Sequence, residues 1–294
     1  MENVKTSVNY TSFKQRLKNR LNHPLSFIVF LLTWTAAVIT AAVVVFLIVY
    51  ILIKGIPNIK LSLFAWKYTS ENVSMMPAII NTLTLTLMSL ILAVPIGVFS
   101  AVYLTEYAKK GNPLVKLVRT TTETLAGIPS IVYGLFGYLI FVIACKFQQS
   151  MLSGALTLAI MILPTMMRTT EEALLSVPDS YREGSFGLGA GRLRTVFKVV
   201  LPSAVPGILS GIILSVGRIV GETAALIYTS GTVAGIPKNI LSSGRTLSVH
   251  MYALLSEGLY MEQAYATAVV LLIMVLLINI LSGFLAKKVS AKKG

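Results

Sequence analysis

The chain is organised around one polar segment, residues 171–207, which reads EEALLSVPDSYREGSFGLGAGRLRTVFKVVLPSAVPG between two long apolar stretches. Ser180 and Glu183 have the S-x-x-E spacing of a capping box, in which both side chains satisfy free backbone N–H groups of a first helical turn. Pro178 is expected to end the preceding helix, because proline disfavours the helical conformation at the residue before it. The segment is therefore predicted to contain a short helix that begins at Ser180.

Two glycines, Gly187 and Gly189, follow and are expected to allow a sharp bend, since glycine adopts backbone conformations that other residues avoid. A second, basic helix is predicted near residues 192–200, and a long apolar segment begins at Leu201 and Pro202. An ordinary loop between two membrane helices is one interpretation of this pattern. A capped helix, a glycine break and a proline-bounded exit together favour a rigid element that docks into a groove of another protein.

The composition of the chain is that of a membrane protein. Of its 294 residues, 55% are hydrophobic and 12% are charged, whereas soluble domains carry about 25% charged residues. The net charge of +14 comes from lysines and arginines that lie between apolar segments, and no basic stripe with interleaved aromatic residues is present. A nucleic-acid partner is therefore not expected.

Six apolar segments are candidates to cross a bilayer, which takes about 20 residues in a helix. The first, residues 25–53, follows a basic start. It is far longer than the apolar core of a secretory signal, which has about 7–15 residues, so it is predicted to be an uncleaved span. The others are residues 77–107, 124–147, 151–167, 201–228 and 264–285. The sequence thus predicts an all-α membrane protein with six transmembrane helices.

The charges also predict the orientation of these spans. Eighteen lysines and arginines lie in the two terminal tails and in the connections near 108–123 and 168–200, against six in the other connections. Because cytoplasmic loops carry an excess of positive residues, both termini and the central polar segment are expected in the cytoplasm. The predicted domains are a basic cytoplasmic tail (1–24), a first transmembrane helix with an external loop (25–76), a five-helix core (77–287) and a second basic tail (288–294).

The connection near residues 229–263 is longer than most loops that have no secondary structure of their own. A short helix or re-entrant piece near residues 247–255 and a plain external loop are both compatible with its sequence. Asn81, Thr82 and Thr84, at the start of the second predicted span, are expected to form hydrogen bonds to neighbouring helices.

Motifs of common enzyme sites are absent from the sequence. The chain has no G-x-x-x-x-G-K-[ST] phosphate-binding loop, no G-x-S-x-G motif and no H-E-x-x-H zinc motif. His23 and His250 have no Cys, His or Asp nearby at metal-ligand spacing, so no metal or other cofactor is expected. The chain is predicted not to be an enzyme, and work driven by ATP would need a separate chain.

Two ionisable residues lie inside the fifth predicted span, in the stretch LSVGRIVGETAALIY. Arg218 and Glu222 are four residues apart, so they are expected to share one helix face. Ionisable groups inside membranes usually face the bundle interior or an aqueous path. One interpretation is an ion pair that only holds the helix in place. In the other, Arg218 binds a translocated oxyanion such as phosphate, which suits its planar guanidinium, while Glu222 positions or releases the anion.

A break in the apolar pattern, Gly127-Ile128-Pro129-Ser130, is predicted at membrane depth. Glycine and proline are tolerated there where neighbouring helices or a cavity satisfy the freed backbone groups. The break is either a simple kink or a gate in which Ser130 and freed backbone N–H groups contact the anion.

The polar segment resembles a known motif. The pattern E-x-x-x-x-x-G-x9-hydrophobic-x-L-P is met by Glu183, Gly189, Val199, Leu201 and Pro202. It is similar to the EAA loop of the permeases of type I ATP-binding-cassette (ABC) importers, although Gly184 and Ser185 replace two alanines and Val199 replaces isoleucine. In that family the loop is a cytoplasmic coupling helix seated on the ATP-hydrolysing protein. The resemblance implies the type I permease fold and these ATPase-coupling residues: Ser180, Arg182, Glu183, Gly189, Leu201 and Pro202.

Two further stretches resemble the PstA-like permeases of phosphate importers. Residues 218–226 read RIVGETAAL, similar to R-x-x-G-E-T-A-P-L in that family, with Ala225 in place of the usual proline. Residues 127–137, GIPSIVYGLFG, also resemble the phosphate permeases. The resemblance implies a permease component of an ATP-driven, binding-protein-dependent importer of inorganic phosphate. Arg218, Glu222 and Ser130 would then lie along the substrate path.

The same resemblance implies a set of partners. These are a second, PstC-like permease, a dimer of cytoplasmic PstB-like ATPases that binds the ATP, an extracytoplasmic PstS-like phosphate-binding protein, and the lipid of a bacterial or archaeal plasma membrane. Three alternatives stay open: an ABC permease for sulfate, molybdate or another solute, a PstC-like phosphate permease, and an ATP-independent secondary transporter. The last would leave the pattern at residues 183–202 without a docking partner.

Overall fold

The structure, a computed structural model, describes residues 24–109 and 111–291. Within these ranges the chain is helical or irregular and contains no β-strand. The basic tail predicted at residues 1–24 lies outside the described residues except for Pro24, and so do residues 292–294 of the second predicted tail.

The described residues form eleven α-helices. These are α1 (Pro24–Gly55), α2 (Met76–Val102), α3 (Pro113–Ala126), α4 (Ser130–Gly137), α5 (Met151–Leu175), α6 (Asp179–Gly187), α7 (Arg192–Thr195), α8 (Leu201–Gly221), α9 (Ala224–Thr229), α10 (Leu247–Glu257) and α11 (Met261–Ala291). Short 3-10 turns cover Ile56–Asn58 and Leu61–Phe64. Wider π-turns extend α2 (Tyr103–Tyr107) and α4 (Tyr138–Ala144), and a third joins α7 to α8 (Val196–Val200).

The chain divides into two compact units between residues 53 and 54. The described part of the first unit is most of α1, whose apolar side chains are exposed around the helix. A long helix that is apolar on all faces is suited to hydrocarbon. The first predicted span is therefore confirmed as one continuous helix. The second unit contains the remaining helices.

The predicted all-α membrane architecture is confirmed. Five helical stretches are long and apolar enough to cross a membrane: Leu25–Asn58, Met76–Tyr107, Met151–Leu175, Arg192–Gly221 and Met261–Phe284. A sixth crossing is present if α3 and the extended α4, which meet at 107°, count as one broken span. The break falls at residues 127–129, where glycine and proline predicted it.

The third and fourth predicted spans have different bounds in the structure. Helix α3 begins at Pro113 rather than at residue 124, because the Asn112 side chain caps it by accepting the Leu114 N–H at 2.9 Å. Helix α5 continues to Leu175 rather than ending at residue 167. Its last turns are polar, so hydropathy alone does not reveal that the helix extends beyond the apolar region.

The fifth predicted span begins and ends earlier than expected. Helix α7 continues through the π-turn into α8, so the predicted separate basic helix is the first part of the span. The wider turn lets the helix pass Pro202, which has no backbone N–H to donate to the preceding turn. At the other end α8 stops at Gly221, and Glu222 is extended (φ −71°, ψ 129°) before the separate helix α9.

Helix α10 lies in the long connection after the fifth span, so of the alternatives left open there the short helix is present and the plain loop is excluded. Thr246 caps its start, and Gly258 ends it in the left-handed conformation with φ of 71°. Asn81 and Thr82 of α2 form hydrogen bonds to the residues around its start, as polar residues at that position predicted. Thr84 is exposed instead.

Helix α5 lies at the centre of the second unit and packs against α2 and α8. Its buried side chains Leu158, Met161 and Ile162 form one apolar cluster with Leu85 of α2 and Ile219 of α8. This packing fixes the positions of the polar residues at both ends of α2, α5 and α8.

Glycines allow these helices to approach closely. A Cβ atom on Gly97 of α2 would lie 2.8 Å from the Cβ of Met166, and one on Gly207 of α8 would lie 2.5 Å from the Cβ of Ala173. Lipid provides no hydrophobic driving force between helices, so their association depends on close van der Waals packing. Small residues at the contact permit this packing. Substitution of these glycines is therefore expected to separate the helices.

Replacement of Gly207 by alanine should destabilise the contact between α8 and α5, since the new Cβ would overlap Ala173. Overpacking of this kind costs about 1–3 kcal/mol, which a lower melting temperature of the detergent-purified chain would show. Gly283→Ala in α11 is the matched control, because a Cβ there meets no atom within 4 Å. Equal melting temperatures for the two variants would contradict the close contact.

Candidate functional site

Helix α6 carries residues that the sequence predicts to dock onto a partner. The predicted capping box is wrong, because α6 begins at Asp179 and Ser180 is already its second residue. The capping position is held by Pro178, whose extended backbone (φ −57°, ψ 139°) starts the helix one residue earlier than predicted. Ser180 and Glu183 are both exposed, so their side chains are available to a partner.

The end of α6 explains the glycine of the motif. Gly189 has a φ of 81°, a left-handed conformation that residues with a Cβ rarely adopt. It donates its N–H to the Phe186 carbonyl at 2.9 Å, and Ala190 donates to the Ser185 carbonyl at 3.1 Å. These two bonds form a Schellman motif, which satisfies the last carbonyls of the helix and turns the chain sharply. The predicted bend is confirmed.

Arg182 connects α6 to the rest of the bundle through an ion pair and hydrogen bonds. Its Nη2 lies 2.7 Å from the Glu106 carboxylate, which belongs to the π-turn that extends α2. The same guanidinium donates to the carbonyls of Leu174 and Val177, at the end of α5, at 2.9 and 2.8 Å. The hydrogen bond to Glu106 raises the pKa of Arg182, so the arginine stays charged. Arg182 therefore points towards the bundle and links α6 to the ends of α2 and α5.

Three apolar side chains of α6 and of the turn that follows it are exposed. Tyr181 and Phe186 are about half exposed, and Leu188 is 91% exposed. Exposed apolar side chains grouped at one place mark interaction sites. Leu201 and Pro202, also predicted to take part in coupling, are half-buried in the first turn of α8. These two residues belong to the start of α8 and do not lie on the exposed apolar surface of α6.

Arg218 lies in the last turn of α8 and lines a cavity of about 680 Å³ between α5, α8 and α11. The side chain is half-buried, and among the described residues it has neither an ion pair nor a hydrogen bond. The cavity is lined by Thr165, Ser210, Ile213, Leu214, Gly217, Arg218 and Asn279. A positive charge thus faces a space large enough for a small anion.

The expectation that Arg218 and Glu222 share a helix face is wrong, and the interpretation that they form an ion pair is excluded with it. Glu222 lies beyond the end of α8, so the two residues do not share a helix face. Its side chain is buried and accepts the Ala225 N–H at 3.1 Å, which closes the first turn of α9. Ser130, the first residue of α4, is half-buried and does not line the Arg218 cavity. The three predicted path residues therefore do not surround one cavity.

Asn279 is a site residue that the sequence reasoning missed. It lies in α11, where a Cβ on Gly217 of the neighbouring α8 would be 3.9 Å from its Oδ1 atom. A signal for it exists in the sequence, because Asn279 is the single amide in the apolar stretch 266–281. Polar residues inside membrane spans usually face the bundle or an aqueous path. Thr165 and Ser210 gave no comparable signal, since hydroxyls are common in membrane helices.

A second cavity, of about 550 Å³, lies between α3 and α5 and is lined by charged residues. Its two arginines are paired: Arg119 contacts Glu171, and Arg168 lies 3.0 Å from Glu172. Paired arginines offer an anion less attraction than the free guanidinium of Arg218 does. Among the described residues no group of three His, Cys, Asp or Glu side chains could hold a metal ion.

A bundle of membrane helices with a cationic cavity between them is typical of a membrane transport protein. Residues 93–293 match the family described as the binding-protein-dependent transport system inner membrane component. The chain belongs to this family of multi-pass inner-membrane permeases.

Relatives and solved structures agree with this assignment. The chain is 33% identical over 274 residues to the probable ABC transporter permease protein YqgI of Bacillus subtilis (strain 168), covering 87% of this chain and 93% of that protein. It is 34% identical over 272 residues to the phosphate transport system permease protein PstA of Pasteurella multocida (strain Pm70), covering 90% and 93%. The fold resembles a chain of a bacterial alginate ABC transporter, with a TM-score of 0.67, 15% identity and coverage of 92% and 97%.

Arg182→Gln should destabilise the chain, because it leaves the buried Glu106 carboxylate without its cation. Breaking a buried ion pair of this kind costs about 3 kcal/mol, and a lower melting temperature of the purified chain would report it. Arg168→Gln is the matched control, since the pair of Arg168 with Glu172 is exposed and exposed pairs add little. An Arg182 variant as stable as the control would show that the link to α2 does not hold α6.

Proposed function

We propose that this chain is one of the permeases of an ATP-driven importer of inorganic phosphate. The choice of phosphate as the cargo rests on the half-buried guanidinium of Arg218. This guanidinium faces a cavity and has no acidic partner among the described residues. A guanidinium stays charged at all physiological pH values and binds phosphate oxygens through paired hydrogen bonds. The phosphate transport name of the Pasteurella multocida relative supports the same cargo.

The proposed importer contains a second, PstC-like permease, two cytoplasmic ATPases and an extracytoplasmic phosphate-binding protein. The ATPase pair binds the ATP, so this chain needs no cofactor and makes or breaks no covalent bond. Helix α6 and both chain termini lie in the cytoplasm, because the lysine and arginine excess is on that side of the predicted spans.

Coupling in this proposal is mechanical. ATP binding closes the ATPase pair and moves the docked helix α6. Arg182 passes the movement to α2 through Glu106, and to the end of α5 through the carbonyls that it contacts. Since α5 also lines the Arg218 cavity, the movement changes the access to the bound anion. The cavity opens alternately to the outside, where the binding protein delivers phosphate, and to the cytoplasm.

The docking surface of α6 predicts which variant loses the ATPase. Leu188→Asp places a charge on the exposed apolar surface, so co-purification of the ATPases should fall at least tenfold while the chain stays folded. Leu259→Asp is the matched control, because Leu259 is 80% exposed in the connection between α10 and α11, at the other end of the bundle. Uptake that continues without any bound ATPase would instead support a secondary transporter.

The cargo is tested by uptake of labelled phosphate, with labelled sulfate beside it, in cells that lack this chain. We expect phosphate uptake at low external phosphate to be lost and sulfate uptake to be unchanged. The wild-type chain should restore phosphate uptake. Arg218→Gln should not, although the complex still assembles, because the cavity has lost its cation.

Lys238→Gln is the control for charge in this assay, since Lys238 is an exposed cation outside the cavity. It should restore uptake as the wild type does. Loss of sulfate or molybdate uptake in the deletion strain, with normal phosphate uptake, would replace phosphate as the cargo. Full activity of Arg218→Gln would remove Arg218 from the path.

A further inference from the structure

Arg245 carries a positive charge that the described part of the chain does not neutralise. The side chain is only 6% exposed, and its buried Nε and Nη2 atoms have no hydrogen-bond partner there. The ion pairs found among the described residues use Arg119, Arg168 and Arg182 instead. Buried charges in proteins are almost always paired, because removal from water is costly. The unpaired guanidinium therefore indicates a missing anion.

The backbone around Arg245 is held on several sides. Its N–H donates to the Val233 carbonyl at 3.0 Å, and its carbonyl accepts the Asn81 side-chain N–H at 3.1 Å. Two residues later the Leu247 N–H donates to the Thr82 hydroxyl at 2.9 Å. The segment is thus fixed against the start of α2, and the guanidinium is kept in place rather than free to turn to water.

The N-terminus of α10 lies next to this charge along the chain. Arg245 directly precedes Thr246, the residue that caps α10. The start of a helix carries a partial positive charge, so a cation there is unfavourable and an anion is favourable. The Leu247 and Val249 N–H groups are already bonded to Thr82 and Thr246, so α10 adds its partial positive charge, rather than these two donors, to the attraction of an anion at this corner of the structure.

His250, one turn into α10, supplies a further polar group. The side chain is fully buried, and its ring lies against the backbone of Val73, although neither ring nitrogen forms a hydrogen bond of normal geometry among the described residues. Burial and the positive charge of Arg245 lower the pKa of His250 to about 3, so the ring is neutral at physiological pH. A neutral imidazole cannot balance the charge of Arg245, but it has one N–H to donate to an anion.

The ring of Tyr68 covers this corner. The Arg245 guanidinium carbon lies 4.7 Å from the Tyr68 ring centre, and the His250 ring meets Tyr68 edge-on at 6.2 Å. A guanidinium that stacks on an aromatic ring directs its N–H groups sideways, where they are free to bind an oxyanion. The covering ring has to move aside for an ion to enter.

We propose that Arg245, His250 and the N-terminus of α10 bind a phosphate ion at the external end of the path, before the ion reaches Arg218. The proposal rests on the proposed phosphate import. The site lies at the end of the bundle opposite α6, where phosphate would arrive from outside. It is joined to the break after α8, because the Ser248 hydroxyl donates to the Glu222 carbonyl. This hydrogen bond links the first turn of α10 to the end of α8, the helix that carries Arg218.

The test uses the complex of this chain with its partner proteins, purified in nanodiscs without the binding protein or nucleotide. Inorganic phosphate at millimolar concentration is added, and the shift in melting temperature is compared with that from chloride. We expect phosphate to raise the melting temperature of the wild type and of Arg218→Gln, in which only the external site remains. Arg245→Gln in the Arg218→Gln background should abolish the shift.

Two further variants separate charge from geometry. Arg245→Lys keeps the charge but loses the planar fork, so it should retain part of the shift. Lys238→Gln, an exposed cation in the same connection, should retain all of it. In cells, Arg245→Gln alone should lower phosphate uptake about tenfold, the effect of losing one charge-assisted hydrogen bond.

A phosphate shift that persists when Arg245→Gln is added to Arg218→Gln, together with unchanged uptake in Arg245→Gln alone, would overturn the proposal and leave Arg245 as a structural partner of Tyr68. A complex that fails to assemble with Arg245→Gln, but assembles with Arg245→Lys and shows no response to phosphate, would mean that another protein of the complex supplies the missing carboxylate. This result also overturns it. Phosphate uptake by the wild type separates these failures from failure of the proposed function, in which the wild type takes up no phosphate.

Discussion

A helix that breaks inside a bilayer has to replace its lost backbone hydrogen bonds from within the protein, since hydrocarbon offers no partners. In this chain the break after Gly221 is closed by Glu222, whose carboxylate accepts the Ala225 N–H and whose carbonyl accepts the Ser248 hydroxyl. The acidic residue nearest to Arg218 along the chain is therefore used by the backbone. As a consequence Arg218 faces its cavity without a counter-ion among the described residues.

The buried and half-buried arginines fall into two groups, which differ in whether their N–H groups and charge have partners. Arg182 is almost surrounded by acceptors, with the Glu106 carboxylate and two carbonyls at the end of α5. Arg218 and Arg245 are partly or fully buried and have no acidic partner in the described residues. A satisfied buried arginine fixes geometry, whereas an unsatisfied one attracts an anion. The first kind suits mechanical coupling and the second suits an anion path.

Helix α2 connects the two ends of the bundle where these groups lie. Glu106, in the π-turn that extends it, contacts Arg182 and so holds α6. Asn81 and Thr82, near its start, hold the segment that carries Arg245. A movement of α6 can thus reach the opposite end of the bundle through one helix that is bonded at both ends. Close packing on α5, permitted by Gly97, keeps the two helices together between these points.

The membrane class, the approximate spans, the break at residues 127–129 and the turn at Gly189 could be predicted from the amino-acid sequence alone. These features follow from hydropathy, glycine and proline, which act on residues close together in the chain. The partners of the charged residues could not be predicted in this way, because they depend on how the helices pack. Glu106 meets Arg182 although 76 residues separate them, and Glu222 turns away from Arg218 because α8 ends between them. Spacing along a helix predicts a shared face only where the helix continues, and contacts between distant residues depend on which helix ends meet in the folded bundle.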